Sequence, residues 1–325
     1  MKKFILIKRL HLCVLILLGS ISVAEAQEQD RLLKTFLLDT TISIAAFSPD
    51  GQFVATADRT STTSGKSAIK VWDVDNGHLI SATDDYPVYA LTFNSDGSLL
   101  AAAGRDGVRL FSRDGRLIRT FSGNQLFAVA FDSLDKTLAA GGAEGEVLMW
   151  HVTGTTLLHK FALNKQITSV AFSPDGRLLV AGTTAAPQGR NPIAIWRLSD
   201  RKEITSLDGH DYGVVRVVFD SKGQTLVSSG SDGRAVMWRL RNGESVNNFG
   251  LSTSKGPVHG VAFSPDDQWI ALSADNDILL IKNKTRQQLT LKGHTKAIVQ
   301  LRFSQDGKTL LSASEDNTIR VWRVE

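Results

Sequence analysis

The sequence predicts an all-β protein, a seven-bladed β-propeller with four antiparallel strands per blade. Three observations predict it: one motif returns seven times, each copy is flanked by strand-like apolar runs, and the copies keep a regular spacing. The motif is first written Ala46-Phe47-Ser48-Pro49-Asp50-Gly51. Its phenylalanines are residues 47, 93, 131, 172, 219, 263 and 303, at steps of 38 to 47 residues. Such a period is typical of stacked units that share their cores.

Each unit has the pattern of four short strands. An alternating apolar run such as residues 258–263 predicts the first strand. The Ser-Pro-Asp-Gly sequence then predicts a reverse turn, whose fourth residue takes the left-handed conformation that favours glycine. Asp135 and Asp267 replace that glycine in units three and six, and aspartate tolerates positive φ better than most residues. Three further runs, such as 178–182, 319–322 and 115–121, complete the blade.

The ends of the third strands show a family resemblance. They read Val71-Trp72-Asp73, Met149-Trp150-His151, Ile195-Trp196-Arg197, Met237-Trp238-Arg239 and Val321-Trp322-Arg323, and two preceding connections read Gly209-His210 and Gly293-His294. The chain therefore resembles the WD-repeat family of β-propellers, in an exported bacterial form. Unit two departs from the pattern with Phe111 and unit six with Ile281, which leaves the count of seven intact. The resemblance implies a rigid interaction platform, an analogy from fold to function.

Residues 1–26 are predicted to be a signal peptide, and residues 27–325 the propeller. A basic opening precedes a short apolar segment, and Ala24-Glu25-Ala26 supplies a cleavage pattern, so that Gln27 begins the mature chain. The apolar segment is short for a membrane span, which needs about 20 residues, although an uncleaved anchor is the alternative. We therefore expect export to the periplasm or the extracellular space, without membrane insertion after cleavage.

Composition narrows the classes of partner. Four basic residues and one acidic residue lie in residues 1–26, so the net charge falls from +4 to +1 without them. No basic stripe with interleaved aromatics is present, which argues against nucleic-acid binding. The only cysteine is Cys13, so the mature chain contains no disulfide. We expect a monomeric propeller with a protein or peptide partner and no cofactor.

The two ends of the chain are expected to close the ring together. The last unit stops after its third strand, at residues 321–325, whereas a spare strand-like run lies at residues 31–36. That run resembles residues 116–121, the fourth strand of unit two. Pairing it with the last unit would complete the seventh blade and cover an open sheet edge.

Two constellations resemble a hydrolase triad. They are His210, Ser228, Asp232 and Trp238 in unit five, and His294, Ser312, Asp316 and Trp322 in unit seven. In the WD-repeat family these positions correspond to a structural tetrad of hydrogen bonds, and nothing resembling a nucleophile elbow accompanies them. The other units lack the set, with Ala102, Ala140 and Gly182 near the serine position. The histidines show no metal-ligand spacing, so no metal or catalytic residue is predicted.

The predicted binding surface lies where the repeat pattern is interrupted. Units one and four carry insertions at residues 58–66 and 183–192, which by the resemblance share a face with the connections entering each blade. The predicted partner-binding residues on that face are Arg59, Tyr86, Tyr89, Arg105, Phe127, Arg190, Tyr212 and Lys296. Neutral variation in exposed loops is the alternative explanation of the insertions.

Two other functions stay open. One is a sensor that binds glycan or peptidoglycan fragments on the same face. The other is a lactonase-like propeller hydrolase with a metal in the central channel. The hydrolase would need carboxylates or histidines near the axis. The residues just before each motif phenylalanine include neither a carboxylate nor a histidine, which argues against a metal there. They are Ala46, Thr92, Ala130, Ala171, Val218, Ala262 and Arg302.

Overall fold

The computed structural model describes residues 31–58, 69–83, 87–184, 192–241, 244–253 and 256–325, the 244–253 segment as backbone only. Regular secondary structure in these ranges is entirely β-strand. The strands form seven separate four-stranded sheets, so the predicted propeller of seven four-stranded blades is confirmed. Blades are numbered as the sequence units were.

The strands follow the chain order, four to a blade. They are β1 (Leu32–Leu37); β2 (Ile44–Phe47), β3 (Phe53–Ala57), β4 (Ile69–Asp73) and β5 (Leu79–Thr83) of blade 1; β6 (Val88–Phe93), β7 (Leu99–Gly104), β8 (Gly107–Ser112) and β9 (Leu117–Ser122) of blade 2; β10 (Leu126–Phe131), β11 (Thr137–Gly142), β12 (Glu146–His151) and β13 (Leu157–Ala162) of blade 3. They continue with β14 (Ile167–Phe172), β15 (Leu178–Thr183), β16 (Ile193–Arg197) and β17 (Lys202–Leu207) of blade 4; β18 (Val214–Phe219), β19 (Thr225–Gly230), β20 (Arg234–Arg241) and β21 (Glu244–Thr253) of blade 5. The last are β22 (Val261–Phe263), β23 (Trp269–Ala274), β24 (Asp277–Lys282) and β25 (Gln288–Leu291) of blade 6; and β26 (Ile298–Phe303), β27 (Thr309–Ser314) and β28 (Thr318–Arg323) of blade 7.

Blade 7 is completed by the N-terminal strand. Its sheet has the order β1-β28-β27-β26, and β1 pairs antiparallel with β28, so that Leu37 lies opposite Thr318. Backbone hydrogen bonds continue beyond the strands, since Arg323 N donates to Arg31 O at 2.7 Å. The Arg31 guanidinium also donates to Val324 O at 2.6 Å. The predicted closure of the ring by both ends of the chain agrees with this pairing.

The apolar core lies between blades rather than within them. One cluster joins Leu311 and Ile319 of blade 7 to Phe47 and Trp72 of blade 1, and six further clusters fill the core. A four-stranded sheet has two faces, and each face here is apolar enough to need a neighbour. Because hydrophobic stabilisation follows the apolar area removed from water, a single blade cannot be stable alone.

The turns after the motif phenylalanines have the predicted conformation. Gly51 has φ of +72°, and Asp135 and Asp267 have φ of +56° and +58°. The aspartates also have a role that the sequence did not reveal. The carboxylate of Asp135 accepts hydrogen bonds from Ser95 N at 3.0 Å and Ser95 Oγ at 2.5 Å, across to the turn of blade 2. Asp267 accepts from Ser221 of blade 5 in the same way, at 2.8 and 2.6 Å.

Proline in one turn goes with glycine in the next blade's turn. The three turns with proline, at residues 49, 174 and 265, face Gly97, Gly223 and Gly307, and proline has no backbone N–H to donate. Aspartate occurs only where the facing residue is a serine, whose N–H donates to it. A serine does not require aspartate, since Ser133 faces Gly176. The coupling across blade boundaries is therefore between proline and glycine, and between aspartate and an N–H donor.

The register corrects one predicted position. Ala181, rather than Gly182, occupies the place in blade 4 that Ser228 has in blade 5, because Ala181 pairs with Val170 as Ser228 pairs with Val217. Gly182 has a different reason to be glycine. A Cβ there would lie 2.5 Å from the side chain of Val214, so the close approach of blade 5 excludes a side chain.

Candidate functional site

One face of the ring is formed by the connections that enter each blade and by the turns between second and third strands. We call it the connection face. Gln125, in the connection to β10, ties these segments together: its N–H donates to Arg105 O at 2.8 Å, and its carbonyl accepts from Ala143 N at 3.0 Å. Arg105 and Ala143 lie in the second-to-third-strand turns of blades 2 and 3, so connections and turns share this face.

Two aromatic side chains meet where the inner strands begin at this face. Tyr89 on β6 and Phe127 on β10 are both partly buried, and their rings lie 5.1 Å apart at 63°. Their strand neighbours Val88 and Leu126 point into the cores between blades and are buried. The strand register shifts at both positions, so Tyr89 and Phe127 lie in β-bulges, and neither ring belongs to the cores between blades. The pair lies at the connection-face end of the inner strands.

The other predicted binding residues within the described ranges are dispersed around the connection face. Tyr212 lies in the connection entering blade 5 and is 62% exposed. Arg105 and Lys296 are exposed on blades 2 and 7, and the carbonyl of Lys296 accepts from Ser314 Oγ at 3.0 Å. Arg59, Tyr86 and Arg190 lie outside the described residues, as do most of the two insertions and the predicted signal peptide. Of the eight residues, the described structure brings Tyr89 and Phe127 into contact.

The inner strands hold a cation that the sequence reasoning missed. Arg216 on β18 donates a hydrogen bond to Gln300 Oε1 on β26, two blades away. Burial lowers the pKa of Arg216 to about 10. Burial also lowers the pKa of Arg302, while the charge of Asp50 acts in the opposite direction. The available signal was a single arginine inside the apolar run Val214-Val215-Arg216-Val217-Val218, three residues before a motif phenylalanine.

The two triad-like constellations are compact and buried. In blade 7, His294 Nε2 lies 2.7 Å from Ser312 Oγ, His294 Nδ1 lies 2.9 Å from Asp316, and Trp322 Nε1 donates to Ser312 Oγ at 2.8 Å. In blade 5, the corresponding distances among His210, Ser228, Asp232 and Trp238 are 2.8, 3.1 and 2.8 Å. Each set links the connection entering the blade to its second and third strands.

This geometry suits a structural latch, a set of hydrogen bonds that holds the entering connection to the blade, and not a catalytic nucleophile. Hydrogen bonds from His294 and Thr318 hold the pKa of Asp316 well below its ordinary value despite partial burial, so the carboxylate only accepts. His294 Nδ1 therefore donates to Asp316, and Nε2 accepts from the hydroxyl of Ser312. Burial lowers the pKa of His294, which favours the neutral ring that this arrangement requires. Ser312 and Ser228 are both 0% exposed, so a substrate has no access to either hydroxyl.

In the described part of the chain, no group of three His, Cys, Asp or Glu residues is placed to hold a metal ion. The described residues also form no apolar helix of a length that could cross a membrane.

Comparison with known families agrees with the repeat count. The family model for the WD domain, G-beta repeat, matches seven segments, at residues 32–73, 74–108, 115–151, 155–185, 201–239, 244–281 and 285–323. Together the segments cover most of the sequence. The chain belongs to the WD domain family. The predicted resemblance to WD-repeat propellers is thereby confirmed at the level of the family.

Three curated relatives of this WD-repeat chain come from a nematode, a fly and a plant. It is 24% identical over 265 residues to transcription factor unc-37 of Caenorhabditis elegans, covering 80% of this chain and 38% of the relative. It is 24% identical over 299 residues to protein groucho of Drosophila melanogaster, covering 76% and 40%. It is 26% identical over 166 residues to small ribosomal subunit protein RACK1y of Oryza sativa, covering 49% and 48%. Each match spans less than half of the relative's length, and none of the three names describes a catalytic activity.

Proposed function

We propose that this WD-repeat propeller is a non-catalytic scaffold of the cell envelope that binds a protein or peptide on its connection face. A closed ring with cores between all blades supplies a rigid surface, and rigid surfaces lose little conformational entropy on binding. One relative is named as a ribosomal subunit protein, which is a component of a larger assembly. This supports a role in protein assembly for the present chain.

The observation that carries the proposal is the aromatic content of the connection face. Tyr89 and Phe127 do not belong to the apolar clusters between the described blades, so their rings are not needed for the cores. Tyr212 projects from the same face and is 62% exposed. Tyrosine is enriched among the residues that dominate binding energy at protein interfaces. The three rings therefore make this face suitable for contacting a partner protein.

A crosslinking experiment tests the face. A photo-reactive amino acid placed at Tyr212 or Tyr89 is expected to give partner adducts in the native cell. The matched control is Leu134, which is 69% exposed in the turn between β10 and β11, at the opposite end of its blade. Equal adducts from Leu134 and Tyr212 would move the binding surface away from the connection face.

A charge-removal variant tests the same face independently. Replacing Arg59, Arg105 and Arg190 together by glutamine is expected to abolish partner capture without lowering the melting temperature. Undiminished capture would place the site elsewhere.

The location in the envelope rests on the signal-like residues 1–26. Mass spectrometry of the protein purified from its native cells is expected to find Gln27 as the first residue. A chain that retains Met1 and is recovered from the cytosol would contradict the export proposal and leave the binding proposal standing.

A further inference from the structure

The wall of the central channel carries charge of one sign. The seven inner strands, β2, β6, β10, β14, β18, β22 and β26, contain two charged residues, Arg216 and Arg302, and no Asp or Glu. Arginine stays protonated at physiological pH even after a pKa shift of this size. The inner strands of the channel are therefore cationic.

Arg216 has a neutral partner only. Its guanidinium reaches from blade 5 past blade 6 and donates to the amide oxygen of Gln300 on blade 7. Burial lowers its pKa, and no carboxylate in the described part of the chain opposes that shift. A hydrogen bond to a neutral amide does not compensate the charge, and burying an uncompensated charge is costly.

Arg302 lies on β26, the strand that also carries Gln300. It follows Gln300 by two residues on β26, which places both on one strand face at a spacing of roughly 7 Å. Its Nε–H is buried and has no acceptor among the described residues. Asp50 acts on Arg302 electrostatically, but its carboxylate accepts from Ser48 Oγ at 2.5 Å and Gln52 N at 3.0 Å. The donor of Arg302 is therefore left for another acceptor.

The rest of the wall at this depth is uncharged. The positions in the other blades that correspond to Arg216 are Ile44, Ala90, Ala128, Ser169, Gln300 and, just before β22, Gly260. Ser169 Oγ is already engaged, since it accepts from Val217 N at 3.1 Å. No other inner-strand side chain at this depth competes with an anion for the two arginines.

We propose that the central channel is an oxyanion site, in which a carboxylate or phosphate group binds between Arg216 and Arg302. Charge-assisted hydrogen bonds from two guanidinium groups would compensate both partly buried cations at once. The inference rests on the proposed function only for the source of the anion. On a protein partner, the source would be an acidic side chain or the terminal carboxylate of a peptide that enters past Tyr89 and Phe127.

The full-length protein labelled with ¹⁵N-arginine permits a direct test. The Nε–Hε resonances of Arg216 and Arg302 are assigned from Arg216→Gln and Arg302→Gln, each of which removes one signal. Sodium acetate and inorganic phosphate are titrated separately, with sodium chloride at matched ionic strength as the control. We expect both resonances to move saturably with at least one oxyanion. The affinities for acetate and phosphate then show whether the site prefers a carboxylate or a phosphate group.

A variant series measures the contribution of the cation. Arg216→Gln is expected to weaken oxyanion binding about ten-fold or more, because a hydrogen bond to a charged group is lost. Arg177→Gln, an exposed arginine in the turn between β14 and β15 at the opposite end of its blade, should leave the affinity unchanged. If Arg216→Gln fails to fold, the titration of the unaltered protein still decides the question.

The outcomes separate this inference from the proposed function. Resonances that do not move, or that move equally with chloride, overturn the oxyanion site even if Tyr212 crosslinks a partner. A saturable oxyanion response in a protein that crosslinks nothing through Tyr212 or Tyr89 supports the site and overturns the proposed scaffold.

Discussion

Blades 7 and 3 have the same four strands but are held together differently. In blade 7, Trp322 donates to the buried Ser312, and His294 and Asp316 extend the chain of hydrogen bonds. In blade 3, Ala140 occupies the serine position, and Trp150 packs instead against Phe121 of blade 2, with ring centroids 5.5 Å apart. A blade can therefore be closed by hydrogen bonds or by apolar packing.

Blades 7 and 3 also differ in the origin of their strands. Blade 3 is continuous in sequence, whereas blade 7 joins the two ends of the chain, and bringing distant segments together costs more entropy. Blade 7 has further bonds where the ends meet, among them Arg31 to Val324 O at 2.6 Å. Blade 5 is continuous and also has the tetrad. The two tetrad blades flank blade 6, whose inner strand β22 has only 3 residues. The polar latches thus lie where the ring has least backbone pairing.

The largest expected effect comes from removing the strand that completes blade 7. Deleting residues 27–40 should abolish cooperative unfolding or lower the melting temperature far more than trimming an ordinary terminus, because β28 loses its partner and the edge becomes exposed. Circular dichroism melting of the deletion variant checks this. A truncated protein that melts like the full chain would refute closure by β1.

A serine substitution tests the latch itself. Ser312→Ala should cost about 1–3 kcal/mol, because Trp322 Nε1 and His294 Nε2 lose their shared partner in a buried site. Urea denaturation of the variant measures the free energy of unfolding. Ala140→Ser is the matched change in blade 3 and should give no stabilisation, since blade 3 has no histidine and aspartate to complete the set. If Ala140→Ser stabilised the protein by as much as Ser312→Ala destabilised it, the serine would act without the histidine and aspartate.

The turn aspartates supply a smaller, local effect. Asp135→Gly should cost about 0.5–1.5 kcal/mol, because Ser95 N–H loses an acceptor while glycine tolerates the positive φ. Combining it with Ser95→Pro reproduces the proline–glycine pairing of Pro49 and Gly97. We expect the double variant to lose less free energy of unfolding than the sum of the losses of the two single variants. Additive losses in a double-mutant cycle would contradict the coupling between turns.

The smallest expected effect is the pH dependence that His294 of blade 7 contributes. The folded pKa of His294 is lowered by burial, so the unfolded chain binds a proton first, and stability falls as the pH drops below about 6.5. The pKa of Asp316 is also lowered, so its contribution is lost only at pH below about 4. Stability against pH for the parent and His294→Gln should differ in slope between pH 6.5 and 5. Parallel curves would exclude His294 as the titrating group.

Much of this architecture could be predicted from the sequence because its signals are local. The spacing of the phenylalanines set the blade count, and the turn residues set the positive φ at Gly51 and Asp135. Contacts across blades were not predictable in the same way. The partner of Asp135 is Ser95, 40 residues earlier, and the reason for Gly182 is Val214 of the next blade.

The candidate site was only partly predictable for the same reason. Arg302 was noticed because it directly precedes a motif phenylalanine, whereas Arg216 lies three residues before one and was missed. Its significance depends on Gln300, which is 84 residues away in the chain and adjacent only when the ring is closed. Dispersed residues such as Tyr212 and Arg105 could be assigned to a face, but their mutual contacts could not be inferred from the repeat pattern.

A pair of engineered disulfides tests the comparison between blades 7 and 3 most directly. Leu37→Cys with Thr318→Cys links the first and last strands across blade 7, and Glu146→Cys with Ala162→Cys links the equivalent register pair in blade 3. Both bonds should form in a Cys13→Ser background. The blade 7 bond should raise the melting temperature more, because it closes nearly the whole chain instead of one hairpin. Failure of the blade 7 pair to oxidise, while the blade 3 pair does, would contradict a ring closed by its two ends.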